Sequence, residues 1–213
     1  MRAWLAAPVL VACGGPPPSE NAPAPVPPDP PDASWSEIPA GTLPSAPGVA
    51  RDLRRMDVDQ LDASMRAITG GIGWDDRTDP TIDLWQDLAP TLGVPDYVTV
   101  TLEDRSTGVL FQKFLGDAAA QVCDDLVARE AAGGPDNVFL VDVDLDTTDA
   151  AAIDANLARA VLRWHGHVVA PGDPALAPWA FLYGSTLIAT DDPVVAWQTV
   201  CVGLFVHPDF YGY

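Results

Sequence analysis

Apolar residues recur at three- and four-residue spacing through residues 49–213 and predict a mainly helical domain. Asp57 is placed to cap a first helix that ends at Gly70-Gly71, and a short second helix is predicted from Ile82 to about Leu92. The longest helix is predicted from Ser106 or Thr107 to about Ala132, before the stop formed by Gly133-Gly134-Pro135.

Three further helices are predicted after this stop. The first is capped by Thr148 or Asp149 and runs through Trp164. Leu176 to Thr190 is apolar on nearly every side, which predicts a helix buried by its neighbours. Asp192, with Pro193 in the first turn, begins a last helix that ends near Val206, before His207-Pro208. Both final apolar runs are too short to cross a membrane.

Two segments alternate in the manner of strands. Tyr97 to Leu102 is predicted as a lone strand, with a helix as the alternative, and Val138 to Leu145 begins like a strand before an acidic turn. The pattern therefore predicts a compact, mainly α bundle of five or six helices, with a small two-stranded element as an optional addition.

The first residues are typical of a processed targeting segment. Met1-Arg2 is followed by a short apolar stretch that ends in Leu10-Val11-Ala12-Cys13. This arrangement resembles the signal peptide of bacterial lipoproteins, in which the last four residues form the lipobox. The resemblance implies cleavage of residues 1–12 and anchoring to the lipid bilayer through acylated Cys13. Gly14 stands where an aspartate commonly retains such proteins at the inner membrane, so the outer membrane is favoured.

Residues 13–48 are predicted to be a tether. Twelve prolines fall between Gly14 and Gly48, and proline is incompatible with continuous helix or sheet. Residues 49–213 then form one domain. With 11 basic and 30 acidic residues, the chain has a formal charge of −19, which excludes nucleic acid as a partner.

Cys123 and Cys201 remain as a pair once Cys13 is assigned to the lipid. Both lie on apolar faces of predicted helices, and the implied compartment is oxidising, so they are candidates for a disulfide. The alternative is two buried free thiols.

Two segments carry candidate metal ligands. Asp142, Asp144 and Asp146 alternate like the start of a calcium loop, but Thr147 and Ile153 stand where that pattern requires glycine and glutamate. A solvated edge with a helix cap explains the same aspartates. His165 and His167 offer two nitrogens to a transition metal, while the helix dipole alone also favours histidine at a helix end. The chain contains no Cys-x-x-Cys-His motif, so no covalent haem is expected, and no cofactor is predicted.

Residues with catalytic potential do not form a convincing set. Gly184-Ser185 lacks the second glycine of a nucleophile elbow. The carboxylates of Trp74-Asp75-Asp76 and Glu103-Asp104 lie near aromatic or apolar residues, as in carbohydrate sites, but the sequence favours a charged loop for them.

The C-terminal third resembles uncharacterised myxobacterial-type lipoproteins. The likeness lies in Val161–Gly166, Leu176–Trp179 and Ala196–Cys201, with the ending His207–Tyr211. That ending is also similar, more distantly, to helical modules of planctomycete-type secreted proteins that accompany c-type cytochrome domains. Neither group implies an activity or a catalytic residue.

The sequence favours a non-enzymatic accessory or interaction subunit of the cell envelope, with an envelope protein as partner. The rival hypothesis is a metal-binding enzyme or electron-transfer accessory protein that uses Asp142, Asp144, His165 and His167. A third is a binding protein for a small cationic or sugar ligand, which requires a cavity between helices.

Overall fold

The computed structural model describes residues 54–92, 94, 98 and 101–213. The chain divides into two units, Met1–Gly48 and Val49–Tyr213. The predicted signal peptide, the lipidation site Cys13 and the tether all lie outside the described residues. Within them the protein is mainly helical and contains no strand, as the hydrophobic pattern predicts for a helical bundle.

Seven α-helices make up the described part of the domain. Their bounds are α1 Val58–Thr69, α2 Leu84–Leu88, α3 Val109–Glu130, α4 Ala150–His165, α5 Ala177–Thr190, α6 Pro193–Val206 and α7 Pro208–Tyr211. Short 3₁₀ turns at Ala89–Leu92 and Pro174–Leu176 follow α2 and precede α5. No described helix combines the length and the apolar character needed to span a bilayer.

Aspartates begin most of these helices. The Asp57 carboxylate accepts from the backbone N–H of Gln60 and the Gln60 side chain accepts from that of Asp57, which completes a capping box. The side chains of Asp149 and Asp192 also cap α4 and α6, by accepting from the backbone N–H groups of Ala152 and Val194 respectively. Several of the acidic residues of this chain therefore satisfy helix N-termini.

The core lies between α3 and α6. The Cys123 and Cys201 sulfur atoms join these two helices in a disulfide, as predicted, with their Cα atoms 5.8 Å apart. Both residues are fully buried, and Trp197 of α6 packs edge-on against Phe139 from the loop before α4. This pair of helices forms the base of the domain, since α4, α5 and α7 all pack against α6.

The segment from Val138 to Leu145 is not a strand, contrary to the prediction. Its backbone N–H groups bond to side chains instead of to a neighbouring strand. The Glu130 carboxylate accepts from Val138, Phe139 and Leu140 at 2.8–2.9 Å. The Asn156 amide oxygen accepts from the next two residues at 3.0 and 3.2 Å. Since both side chains are buried, they supply in the interior the acceptors that a strand partner would provide.

The strand predicted at Tyr97 to Leu102 lies partly outside the described residues, and its described positions 98, 101 and 102 are not in a strand. The optional two-stranded element is therefore absent from the described part of the chain, where only isolated bridges occur, at Arg55–Gly212 and Asp75–Asp83.

Helix α5 is also less buried than its composition predicts. Tyr183 is its one buried residue, while Phe181 and Ile188 are 74 % and 87 % exposed. The helix contains no charged residue, so an apolar and uncharged face is open to solvent. A helix that is apolar all round is expected to be buried on all sides. Instead, α5 packs mainly against α6 along one side.

Candidate functional site

The three histidines of the chain meet where the end of α4 approaches the junction of α6 and α7. His165 is the last residue of α4, and Gly166 ends that helix in the left-handed conformation at φ 69°. His207 lies between α6 and α7, with Pro208 in the first turn of α7. Local capping signals therefore place both histidines at helix ends. Their rings lie outside the apolar helix faces that form the core.

The rings of these histidines are in contact. His165 and His207 stack with ring centroids 4.8 Å apart and an interplanar angle of 29°. Trp179 of α5 lies against both, at 5.5 Å from His165 and 5.7 Å from His207. His167 lies 6.3 Å from His165, measured between ring centroids. The result is a cluster of four rings contributed by three parts of the chain.

Asp209 adds a carboxylate to this cluster. One of its oxygens lies 3.6 Å from His167 Nε2 and 3.6 Å from His207 Nδ1. His165, His207 and Asp209 each bring one potential ligand atom within 4.8 Å of the others, and this is the one such group of three in the described part of the chain. Donors around a tetrahedral zinc ion are about 3.4 Å apart, so small side-chain rotations would close the group around an ion.

A backbone carbonyl orients the ring of His165. Its Nε2 donates to the Leu204 carbonyl oxygen at 2.9 Å, which leaves Nδ1 as the unprotonated nitrogen of the neutral ring. Burial lowers the pKa of His165, and the charges of His207 and His167 act in the same direction, against the opposing effects of the Leu204 carbonyl and Asp209. The ring is therefore neutral at pH 7, and a metal-binding histidine has this form and this kind of outer hydrogen bond.

His207 has a second role as a cap. Its Nδ1 accepts from the backbone N–H of Asp209 at 3.2 Å, at the start of α7. In the neutral ring this places the proton on Nε2. Coordination through Nδ1 would replace this hydrogen bond, and coordination through Nε2 would move the proton to Nδ1, beside the Asp209 carboxylate. Either way, metal binding would change the start of α7.

A cavity of about 440 Å³ adjoins the cluster. His165, His167, His207 and Asp209 contribute its polar lining. Its remaining walls are apolar and come mainly from α4, α5 and the segments between them: Val161, Val169, Ala175, Pro178, Trp179, Phe181 and Leu182. Convergent polar groups in a mostly apolar cavity are typical of ligand sites.

The acidic turn predicted to bind metal does not reach this site. Asp142 forms a two-point ion pair with Arg159, at 2.8 and 3.0 Å. Asp144 accepts from the backbone N–H of Asp146 and from the Thr147 hydroxyl, so it stabilises its own turn. Of the predicted metal ligands, His165 alone belongs to the converging group, and His167 lies at its edge beside Asp209. The structure therefore does not bring Asp142 and Asp144 together with the histidines of the rival hypothesis.

Asp209 and Trp179 were missed because no local pattern marks them. Asp209 follows a histidine and a proline, a pattern typical of the first turn of a helix. Trp179 lies in an apolar segment, so the sequence predicts a core residue there. One feature of the sequence points towards the cluster. The chain contains three histidines, and two of them lie at predicted helix ends, where they could come together in the fold.

The other acidic residues considered for catalysis have structural partners. Asp75 pairs with Arg66 at 3.1 Å, and Glu103 pairs at 2.7 Å with Arg55, which is 1 % exposed. Ser185 donates to the Leu182 carbonyl oxygen within α5.

No protein-family model, curated protein or solved structure matches this chain at significant similarity.

Proposed function

We propose that this protein is a metal-binding accessory protein of the bacterial cell envelope. Its helical domain binds one divalent transition-metal ion between His165, His207 and Asp209, and acylated Cys13 holds it at the membrane. The observation that carries the metal function is the convergence of two imidazoles and one carboxylate within 4.8 Å, from residues up to 44 positions apart.

The donor chemistry favours zinc over calcium or magnesium. Imidazole nitrogen is a ligand of zinc, copper, nickel and iron, whereas the hard cations take oxygen donors. His165 supports this choice because its ring is neutral, so binding requires no deprotonation there. Its hydrogen bond to the Leu204 carbonyl is also the kind that orients a metal-binding histidine.

Zinc titration of the purified chain, followed by calorimetry, tests the site. We expect one equivalent of Zn²⁺ to bind, and the double substitution His165→Ala with His207→Ala to abolish binding. Asp209→Asn should weaken binding at least tenfold, because it removes the anionic donor. Circular dichroism of each variant verifies that the helices remain.

Asp144→Asn is the matched control, since Asp144 is also an exposed aspartate with turn-forming hydrogen bonds but lies in the acidic turn. It should bind zinc as the unchanged chain does. Undiminished stoichiometric binding by the double histidine variant would refute the proposed site.

The envelope location is supported by the lipobox-like Leu10–Cys13 and by the proline-rich residues 13–48, which together would hold a folded domain away from a bilayer. Mass spectrometry of protein made in its own host should find a mature chain that begins at acylated Cys13. An intact chain with unmodified Met1 would contradict the anchor.

An accessory role is supported by α5, whose exposed side is apolar and uncharged in an otherwise acidic protein. We expect a stoichiometric envelope protein to co-purify from detergent extracts and to be lost with Ile188→Asp. Val109→Asp is the matched control, because Val109 is equally exposed at 88 % but lies at the start of α3. Equal recovery with both variants would exclude α5 as the contact.

A further inference from the structure

The metal-ligating residues and the apolar walls line the same cavity. His165, His207 and Asp209 are among its polar lining residues, and Trp179 and Leu182 are among its apolar ones. Trp179 lies directly beside both histidine rings. Three protein donors leave at least one position of a zinc ion for an exogenous ligand. A molecule that takes this position therefore also occupies the cavity.

The net charge of the metal-bound site determines which kind of donor atom an exogenous ligand should bring. A divalent ion with two neutral imidazoles and one carboxylate keeps a net charge of +1. Asp209 is the one acidic residue among the cavity-lining residues, so an incoming monoanion meets no second carboxylate there. A single anionic oxygen donor would neutralise this charge beside the apolar walls of the cavity, which is favourable.

The walls select the remainder of the molecule. They present two aromatic rings, Trp179 and Phe181, together with aliphatic side chains, and a volume of about 440 Å³ lies within the range of small-molecule sites. Outside the cavity the strongly acidic surface disfavours molecules with several negative charges.

We infer that the ligand of this site is a small apolar carboxylic acid. Its carboxylate coordinates the metal held by His165, His207 and Asp209, and its aromatic or branched aliphatic body packs against Trp179, Phe181 and Leu182. This inference rests on the metal site proposed above and adds the class of molecule that the site takes.

Calorimetric titration of the zinc-loaded chain with phenylacetate and with acetate tests the inference. The two probes share a carboxylate and differ by one phenyl group. We expect phenylacetate to bind at least tenfold more tightly than acetate, because only its ring reaches the apolar walls. Equal affinity for the two probes would overturn the inference.

Phe181→Ser and Ile188→Ser form a matched pair of variants. Both residues are exposed apolar positions on α5, but Phe181 lines the cavity and Ile188 does not. Phe181→Ser should reduce the affinity for phenylacetate severalfold and leave the affinities for acetate and for zinc unchanged. Ile188→Ser should change none of them, and an equal loss in both variants would place phenylacetate elsewhere on α5.

The zinc titration separates the two proposals. A chain that binds zinc at the histidines but does not distinguish the probes contradicts the ligand class alone. A chain that binds no zinc contradicts the metal site and, with it, the coordination of a carboxylate.

Discussion

At the scale of single residues, buried polar side chains determine the irregular parts of this structure. Glu130 is 2 % exposed, and its two carboxylate oxygens accept three backbone N–H groups of the loop that follows α3. Charge-assisted hydrogen bonds of this kind are stronger than those between neutral groups. The Glu130 carboxylate thus provides the acceptors for Val138, Phe139 and Leu140 that a strand partner would otherwise supply.

Substitution of Glu130 by glutamine should destabilise the domain. The amide NH₂ would face backbone donors that now point at a carboxylate oxygen, so at least one buried N–H loses its acceptor. We expect the free energy of unfolding to fall by about 2 kcal/mol or more. Urea denaturation measures the change.

Asp136→Asn is the control for this variant, since Asp136 is an exposed residue of the same loop. Its stability should stay within about 0.5 kcal/mol of the unchanged chain. Similar midpoints for both variants would show that the Glu130 carboxylate is not needed.

At the scale of elements, the helix starts follow local rules. Asp192 has an extended backbone, and its side chain accepts from the Val194 N–H at 2.8 Å, with Pro193 at the first helical position. Such capping signals act over three or four residues, so the starts of α1, α4 and α6 could be predicted from the sequence. The burial of a helix is not decided locally: α5 and α6 are both strongly apolar and uncharged, yet α6 is central and α5 is half-exposed.

Removal of the cap on α6 tests the contribution of one such signal. Asp192→Ala leaves the N–H of Val194 without its side-chain acceptor, and it should lower the free energy of unfolding by about 1 kcal/mol. Thermal unfolding measured by circular dichroism reports the loss. Asp146→Ala, an exposed turn position, should have little effect, and equal losses in the two variants would argue against a specific role of the cap.

At the scale of the whole molecule, the disulfide between α3 and α6 joins residues 78 positions apart and fixes the two central helices of the domain. The site depends on this base, because His207 follows directly on α6 and His165 is bonded to the Leu204 carbonyl of the same helix. Displacement of α6 would therefore separate the proposed ligands.

Loss of the disulfide should destabilise the fold considerably. In the chain-entropy model, a crosslink over this separation contributes about 4.5 kcal/mol by restricting the unfolded chain. The double substitution Cys123→Ala with Cys201→Ala should lower the urea midpoint accordingly, and chemical reduction of the unchanged chain should give a similar shift. Unchanged midpoints under both treatments would contradict this role.

The sequence by itself determined the helical class, most helix bounds and the caps, because apolar periodicity and capping residues act between near neighbours in the chain. It also indicated the disulfide, since both cysteines lie on apolar helix faces. Only the tertiary structure decided that Glu130 and Asn156 replace a strand partner, that α5 stays half-exposed, and that His165, His207 and Asp209 converge. These features depend on how helices distant in sequence pack together, and the packing directions are set by the whole core rather than by any local pattern.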